Sequence, residues 1–448
     1  RSAFGLPEIA TLAVLFILYS NAAVVAVRFH AVPESVSTAL PVLLFLPLAS
    51  YLIIQRQKLI FNPVLGPIIL FLGVQIVSTV FSANVVTSSR NLNNFLIEGL
   101  GIYFLLTNVI RTPEMLRRSI WALLIAGAFL GGLSVYQQVT QTYDNNYWGF
   151  AQMSSAAFGT GAEDLYGEVL QRRLAGPLGD QNRYAQVMLM LVPLGLFRFW
   201  GERSKPLRIL ALIATILATM GAALTFSRGA AVGFVLMLVV TALMGYIKPH
   251  QLVITFVGLF LLLQALPQYG ARLSSLEDVS NALTGEGSNI RSADGSTQSR
   301  VTEMLAAAMV FVDHPIVGVG PGMYRFYYQD YAEQVGIRVL AANRQAHNLY
   351  LGLAAETGAL GLITFGACVV VTLNHLALVR RRLKDTRPDL ANLASGMILV
   401  IITYLTTGLF LHFAYIRFFW LMMALAGAAA YVAQASAAPT GEGKLEGK

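Results

Sequence analysis

The feature that most constrains this chain is a series of apolar stretches, each long enough to cross a lipid bilayer. Stretches such as 207–226 and 252–266 carry almost no polar side chain. Of the 448 residues, 56% are hydrophobic and only 12% are charged, whereas a typical soluble domain carries about 25% charged residues. The composition therefore predicts an all-α polytopic membrane protein, because a helix satisfies its own backbone hydrogen bonds in lipid.

About twelve stretches have the ~17–25 residues that a membrane-spanning helix needs. They lie at 7–27, 36–54, 61–82, 94–110, 118–139, 183–200, 207–226, 229–247, 250–267, 347–373, 391–411 and 415–433. We therefore predict one transmembrane domain over residues 1–434, which includes two longer polar segments at 140–182 and 268–346. The polar, Gly- and Lys-rich stretch 435–448 predicts a disordered tail.

Basic residues are distributed unequally between the two sets of loops. One set carries fifteen Lys and Arg residues in short loops, whereas the opposite short connections carry only Arg28, Arg90, Arg228 and Arg417. The positive-inside rule makes the first set cytoplasmic. Both termini are then predicted to be cytoplasmic, and segments 140–182 and 268–346 are predicted to lie on the outer face.

The second outer segment contains a predicted helix. Apolar residues recur at helical spacing through 299–312, at Val301, Met304, Leu305, Ala308 and Val312. Pro315 and the glycine-rich run 318–322 end this helix. The outer face is therefore predicted to carry a small helical cap.

Several classes of site are excluded by the absence of their motifs. The chain has no HExxH motif, no Cys/His cluster, no GxxxxGK[ST] loop and one cysteine, Cys368. We therefore predict no bound metal, no ATP site and no disulfide within the chain. The net charge of +8 is attributed to basic cytoplasmic loops rather than to nucleic-acid binding.

Four basic residues are predicted to meet at the outer mouth, each near the start of a helix. They are Arg183, Arg228, Arg300 and His347. Helix N-termini carry partial positive charge, so this arrangement favours a strongly anionic ligand such as a phosphate. A neutral imidazole is also suited to acid–base chemistry near pH 7.

Each of these residues also has a simpler interpretation. An arginine near a membrane surface often snorkels to the interface, an arginine on an amphipathic helix is often simply exposed, and a lone interfacial histidine is often a polar anchor. Asp180 or Asn182 is a candidate cap for the helix that begins near Arg183. Glu356 lies in an apolar span, where a carboxylate needs a partner or a wet cavity.

An ordered set of motifs over roughly 175–365 resembles the O-antigen ligase and O-antigen polymerase superfamily. The motifs are Thr225-Phe226-Ser227-Arg228-Gly229-Ala230, then Arg300 opening a helix, then 314–320 (HPIVGVG), then His347-Asn348-Leu349-Tyr350-Leu351 and 356–361 (ETGALG). The predicted topology, with its large outer segment late in the chain, also fits this superfamily.

The resemblance implies a glycosyltransferase of the Gram-negative inner membrane, with its active site facing the periplasm. The donor would be an O-antigen glycan on undecaprenyl diphosphate, and the acceptor a sugar hydroxyl of lipid A–core. It implies that Arg228 and Arg300 hold the diphosphate and that His347 handles the acceptor proton. The resemblance also implies that the enzyme needs no cofactor, metal or ATP. The candidate substrate-binding residues are Arg183, Asn182, Asn348, Tyr350 and Glu356.

Within this superfamily the ligase is the preferred interpretation, and a polymerase is the alternative. A transporter or flippase for anionic lipid-linked sugars is the alternative from another class, since it would also need a cationic cavity. Against the transporter, the sequence shows no two-fold internal repeat, and its candidate basic residues lie on one predicted face only.

Overall fold

The computed structural model describes residues 5–153, 173–265, 295–340 and 343–437. This part of the chain is mostly helical, and we number its helices in chain order. They are α1 (Leu6–Tyr19), α2 (Ala22–His30), α3 (Glu34–Ile54), α4 (Leu65–Val80), α5 (Val85–Asn94), α6 (Ile102–Val109), α7 (Pro113–Thr140), α8 (Gln181–Gly201), α9 (Lys205–Ala223), α10 (Arg228–Leu243), α11 (Pro249–Ala265), α12 (Gly295–Asp313), α13 (Tyr324–Val335), α14 (Leu349–Leu383), α15 (Pro388–Thr407) and α16 (Ile416–Ala437).

Seven of the described helices are long and apolar enough to cross a membrane. They are α3, α7, α8, α9, α14, α15 and α16. The pair α1 and α2 would supply an eighth span if the two helices, which are bent by 60° at their junction, cross together. The structure thus supports a helical protein with several membrane spans, whereas the count of twelve stays a prediction.

The other predicted spans correspond to helices that are short or broken. α4 and α10 have 16 residues each, and α11 has 17. Such helices are about 25 Å long, against a hydrocarbon layer of ~30 Å. The span predicted at 94–110 begins in a π-helical stretch, Phe95–Gly101, which joins α5 to α6. Hydropathy does not detect such features because it scores composition and not backbone geometry.

Two contacts join segments that the predicted topology places on the cytoplasmic side. Arg117 at the start of α7 pairs with Asp389 at the start of α15 at 2.5 Å. Arg380, near the end of α14, donates a 2.8 Å hydrogen bond to the carbonyl of Met244 after α10. Basic residues of these segments thus contact neighbouring helix ends. Their cytoplasmic orientation stays a prediction.

Residues 295–340 contain two helices, α12 and α13. α12 includes the helix predicted at 299–312, so the prediction of that helix is confirmed. Its buried face coincides with the apolar repeat only in part, because Val301, Glu303 and Ala306 are buried while Leu305 and Val312 are 44% and 71% exposed. Sequence spacing therefore identified the helix but only part of the side that packs against the rest of the protein.

A break in α14 provides the docking point for the segment between α12 and α13. At Gly358 the backbone leaves the helical region, with φ 66° and ψ −168°. Just before the break, the carbonyl oxygens of Ala355 and Glu356 accept hydrogen bonds from the backbone N–H groups of Val319 and Gly320 at 3.0 and 2.9 Å. Hydrogen bonds to this segment replace the backbone hydrogen bonds that α14 loses at the break.

Glycine is required on both sides of this junction. Gly318 and Gly358 both have positive φ, at 67° and 66°. A Cβ at Gly358 would overlap the carbonyl oxygen of Ile316, and a Cβ at Gly318 would overlap the backbone of Glu356. The 314–320 and 356–361 motifs are therefore explained by close backbone packing.

The described part of segment 140–182 contains the main exception to the all-α architecture. Gln152–Met153 pairs antiparallel with Leu174–Gly176. The residues between 153 and 173 lie outside the described residues. α16 continues to Ala437, slightly past the predicted start of the tail at 435, and positions 438–448 lie outside the described residues.

Candidate functional site

Arg183 lies in the first turn of α8 and is buried, with 5% of its surface exposed. Its backbone N–H donates to Asp180 Oδ1 at 2.9 Å, so Asp180 is the helix cap. The guanidinium lies against His412, since Nη2 is 2.8 Å from both ring nitrogens and Nη1 is 3.2 Å from the carbonyl oxygen. Arg183 is thus held by the connection between α15 and α16.

Arg228 is the first residue of α10, and Ser227 caps this helix by accepting a hydrogen bond from the N–H of Ala230 at 3.4 Å. The preceding residue, Phe226, has a positive φ of 51°. Gly229 packs tightly against Phe410, because a Cβ at this position would lie 3.0 Å from the Phe410 Cβ. The sharp turn and the small residue bring the start of α10 close to the end of α15.

Arg173 ties the Arg228 loop to the start of α8. Its Nε donates to the carbonyl of Thr225 at 2.7 Å, and its Nη2 donates to Asn182 Oδ1 at 3.2 Å. Only 4% of the Arg173 surface is exposed. Asn182, a predicted substrate-binding residue, thus has its side-chain oxygen engaged within the protein. Sequence reasoning missed Arg173, because it lies in a polar segment without a recognisable motif.

His347 precedes α14 and adopts a positive φ of 46°. Its Nδ1 lies 2.6 Å from Glu303 Oε2 and 3.2 Å from the carbonyl oxygen of Gln345. Both neighbours are acceptors, so the geometry favours a proton on Nδ1 and leaves Nε2 as the nitrogen that can take up or release a proton. The His347 and His412 rings form an edge-to-face contact, with centroids 5.8 Å apart.

Glu303 is a buried carboxylate on α12, and its side chain has no exposed surface. Besides His347, it contacts Arg344, whose Nε lies 2.6 Å from Oε1. Burial alone would raise the pKa of Glu303, but the hydrogen bond and charge of His347, together with Arg344, outweigh burial and lower this pKa below its usual range. The carboxylate is therefore ionised at neutral pH.

Arg300 lies on the same helix as Glu303, three residues earlier, and is half-buried. Residues at this spacing are neighbours on a helix surface, with Cβ atoms about 5–6 Å apart. The helix that supplies the carboxylate to His347 therefore also brings a guanidinium group to the same region.

Asn348 and Tyr350 have polar contacts within the protein. Asn348 Oδ1 accepts hydrogen bonds from the N–H groups of Tyr350 and Leu351, each at 2.9 Å, and its Nδ2 donates to the carbonyl of Leu409 at 3.0 Å. The Tyr350 hydroxyl donates to the carbonyl of Leu405 at 2.9 Å. These contacts join the start of α14 to the end of α15.

Glu356 lies near the break in α14, about 13 Å of helix from His347. Its carboxylate accepts hydrogen bonds from the backbone N–H groups of Gly322 and Tyr324 at the start of α13, and Arg325 supplies a nearby positive charge. A carboxylate is favourable at a helix N-terminus. The structure thus places Glu356 in the junction between α13 and α14, and away from the His347 group.

The segments that carry the predicted residues Arg183, Arg228 and His347 contact a shared neighbour. We call residues 408–415, which connect α15 to α16, the 408–415 connection. It contacts the start of α8 through His412, the start of α10 through Phe410 and the start of α14 through Leu409. The capping side chains Asp180, Ser227 and Asn348 occupy one first-turn amide of α8, one of α10 and two of α14.

Sequence reasoning missed Glu303, Arg344 and His412. Glu303 is a single carboxylate on an amphipathic helix, and no spacing links it to His347. Arg344 is close to His347 in sequence and could have been included on that ground. His412 is an isolated histidine near a span end, and only three-dimensional contact identifies it.

These features define a helical protein with several candidate membrane spans, in which Arg183, His347 and His412 lie together where the ends of several helices meet. Residues 183–366 match the model of the O-antigen ligase family. The resemblance inferred from the motifs is therefore confirmed, and this part of the chain is similar to the O-antigen ligase domain of the ligase and polymerase superfamily. Members of this family are membrane enzymes of the glycosyltransferase type. No curated protein matches the chain at a significant level.

Proposed function

We propose that the protein transfers a glycan from a lipid-linked diphosphate to a sugar hydroxyl at the outer face of the membrane. Two observations support this proposal: the match to the O-antigen ligase family over residues 183–366, and the arrangement of acid–base and anion-binding side chains around His347. The first gives the class of enzyme, and the second gives the chemistry that the site supports.

The observation that carries the proposal is the contact between His347 and Glu303. We propose that this buried carboxylate, 2.6 Å from Nδ1, stabilises a proton on that nitrogen by its charge and so favours one orientation of the ring, the role that the carboxylate has in hydrolase triads. The other nitrogen, Nε2, then serves as a general base. Glu303 also stabilises the imidazolium that forms when Nε2 takes up a proton.

The proposed step is a displacement at the anomeric carbon of the donor. The acceptor hydroxyl oxygen forms a bond to this carbon while its proton passes to His347 Nε2. The bond between the anomeric carbon and the diphosphate oxygen breaks, and the diphosphate leaves with the electron pair. The diphosphate is already an activated leaving group, so we propose that the step uses neither ATP nor a metal or other cofactor.

In this proposal the arginines bind the diphosphate and stabilise the charge that develops on it. Arg228 and Arg300 have the catalytic role, and Arg183 contributes to binding of the donor. We assign positioning roles to Asn182, Asn348, Tyr350 and Glu356, whose side chains make contacts within the protein. This assignment replaces direct substrate contact as the proposal for these four residues.

We further propose that the enzyme is an O-antigen ligase of the Gram-negative inner membrane. The donor would be O-antigen on undecaprenyl diphosphate, and the acceptor would be lipid A–core. Purified protein in detergent, supplied with both substrates and EDTA but no ATP, should produce lipid A–core that carries the glycan. Longer lipid-linked glycan as the product would identify a polymerase instead. Absence of transfer, together with movement of the donor across proteoliposomes, would favour a transporter.

The role of His347 is tested in the same assay. His347→Ala should lower the transfer rate by about 10²–10⁴-fold, which is the usual contribution of a positioned base, while donor binding persists. His375→Ala provides a matched control, because His375 lies far along α14 from the site. Loss of donor binding in His347→Ala would make His347 a phosphate ligand, and normal transfer would make it an anchor.

The proposed orientation is tested by chemical labelling. Cysteines introduced at Asn145 and Gly287, each in a Cys368→Ser background, should react with an impermeant thiol reagent in intact spheroplasts. Labelling that requires lysis would place these segments in the cytoplasm and would contradict a periplasmic site.

A further inference from the structure

The 408–415 connection lies outside the residues that match the O-antigen ligase family, yet it contacts three segments that carry the candidate site. The carbonyl of Leu409 accepts a hydrogen bond from Asn348, beside His347. Phe410 packs against Gly229, beside Arg228. His412 contacts Arg183 directly. A segment beyond residue 366 is therefore part of the surroundings of this site.

His412 is the residue of this connection that touches two candidate functional side chains. On one side its carbonyl oxygen accepts a hydrogen bond from Arg183 Nη1, and its ring nitrogens lie 2.8 Å from Nη2. On the other side its ring meets the His347 ring at a centroid distance of 5.8 Å. Tyr415, at the end of the connection, places its ring centroid 5.6 Å from Arg183 Cζ and so restricts this guanidinium further.

The charge state of His412 suits this contact. A guanidinium is a donor without acceptor capacity, so it hydrogen-bonds only to an unprotonated ring nitrogen. Burial, followed by the charges of Arg183 and His347, lowers the pKa of His412 well below 6.5. At neutral pH the ring is therefore an acceptor for Arg183, and it does not repel this arginine as an imidazolium would.

We propose that His412 is a positioning residue, which holds the Arg183 guanidinium beside His347. It thereby fixes the position of the anion-binding group relative to the base. This inference rests on the proposed transfer from a diphosphate-linked donor. It adds to that proposal a residue from outside the family-matched domain, one that acts through Arg183 and His347 without contacting the reacting atoms itself.

The first test compares two substitutions that differ in the acceptor they supply. His412→Ala removes the acceptor, and we expect the KM for the lipid-linked donor to rise about tenfold or more, as is typical for loss of a hydrogen bond to a charged group. His412→Gln supplies a side-chain carbonyl and should restore much of the loss. His375→Ala should leave KM and kcat unchanged. If His412→Ala does not fold, His412→Phe keeps a ring without an acceptor and replaces it in the comparison.

The second test asks whether His412 acts through Arg183. In an Arg183→Ala background, His412→Ala should cause little additional loss, because the guanidinium that it positions is absent. Wild type, the two single variants and the double variant are also compared by the shift in apparent Tm that inorganic diphosphate produces in each purified protein. Equal losses from His412→Ala in both backgrounds, or unchanged behaviour of His412→Ala, would overturn the proposal.

The two readouts separate this proposal from the proposed function. Coupling between Arg183 and His412 in diphosphate binding, with no transfer from any lipid-linked glycan, would support the positioning role and contradict the glycosyltransferase. Efficient transfer with no coupling between the two residues would support the enzyme and contradict the positioning role.

Discussion

Nδ1 of His347 lies 2.6 Å from the carboxylate of Glu303, a residue of a separate helix whose side chain has no exposed surface. This contact joins α12 to the start of α14 and gives the imidazole a defined orientation. A buried carboxylate is retained in such a place only with partners, and here the partners are His347 and Arg344. The pair is the basis of the first prediction.

Glu303→Gln should lower the rate of transfer by about 10²-fold or more. The substitution keeps the size of the side chain but removes the charge that stabilises an imidazolium at His347. The measurement is kcat with saturating donor and acceptor. Glu333→Gln, an exposed substitution on α13, is the matched control and should have normal activity. A normal kcat in Glu303→Gln would remove this carboxylate from the mechanism.

Arg228→Lys and Arg300→Lys should each retain only a small part of the activity, and the alanine variants almost none. Lysine keeps the positive charge but loses the planar fork that binds phosphate oxygens in pairs. Loss of one charge-assisted hydrogen bond, at about 1.5–3 kcal/mol, corresponds to a loss of roughly 10–100-fold. Donor titrations of transfer, with membrane insertion checked for each variant, measure the effect.

Arg338→Ala serves as the control for this series, because the Arg338 side chain is exposed within residues 295–340, the same described segment that contains Arg300. It should have normal activity. Full activity in Arg228→Ala would instead return Arg228 to the role of an interfacial arginine, and the same reasoning applies to Arg300.

Gly358→Ala should destabilise the junction between α14 and the segment that precedes α13. The residue has φ 66° and ψ −168°, a region that is essentially restricted to glycine, and a Cβ would overlap the Ile316 carbonyl oxygen. We expect a loss of more than about 2 kcal/mol, since both strain and steric overlap oppose folding. Apparent Tm and protease resistance of residues 295–340 measure it.

Gly366→Ala is the matched control on the same helix, because a Cβ there meets no atom within 4 Å. It should be neutral or slightly stabilising, by up to about 1 kcal/mol. Equal stability of Gly358→Ala and Gly366→Ala would show that the junction tolerates a side chain and would contradict the close backbone packing.

The parts of the fold that the sequence predicted are those with a local signal. Apolar length predicted the long helices, and the spacing at 299–312 predicted α12. The start of α8 also has a local signal, because its cap was predicted to be Asp180 or Asn182 and is Asp180. Breaks within apolar stretches, such as the π-helical stretch 95–101, leave hydropathy almost unchanged and so were not predicted.

The candidate site was predictable only in part, for a related reason. Arg228 and His347 lie in recognisable motifs, but Glu303 and His412 acquire their roles from contacts between segments distant in sequence. No local pattern distinguishes Glu303 from an exposed carboxylate on an amphipathic helix. Glu356 is the opposite case. Its motif was recognised in the sequence, but its hydrogen-bond partners, the amides at the start of α13, depend on tertiary structure.

The last prediction is a pH-dependent stability that originates at His412. Burial, followed by the charges of Arg183 and His347, lowers its pKa well below 6.5. Between pH 6.5 and this lower value, the unfolded chain binds a proton that the folded protein does not. The free energy of unfolding contributed by this group therefore decreases as the pH falls, by up to about 1.4 kcal/mol per pH unit.

His412→Gln lacks the titrating group, so its apparent Tm in detergent should decline less steeply between about pH 7 and pH 5. The lowered pKa of Glu303 also makes stability fall at acidic pH, since its contribution is lost as the pH drops through the folded value, but it is common to both proteins and cancels in the comparison. His375→Gln should follow the wild-type slope if the effect belongs to His412. Parallel slopes for wild type and His412→Gln would mean that His412 is protonated as readily in the folded protein as in the unfolded chain, and would contradict its role as a neutral acceptor for Arg183.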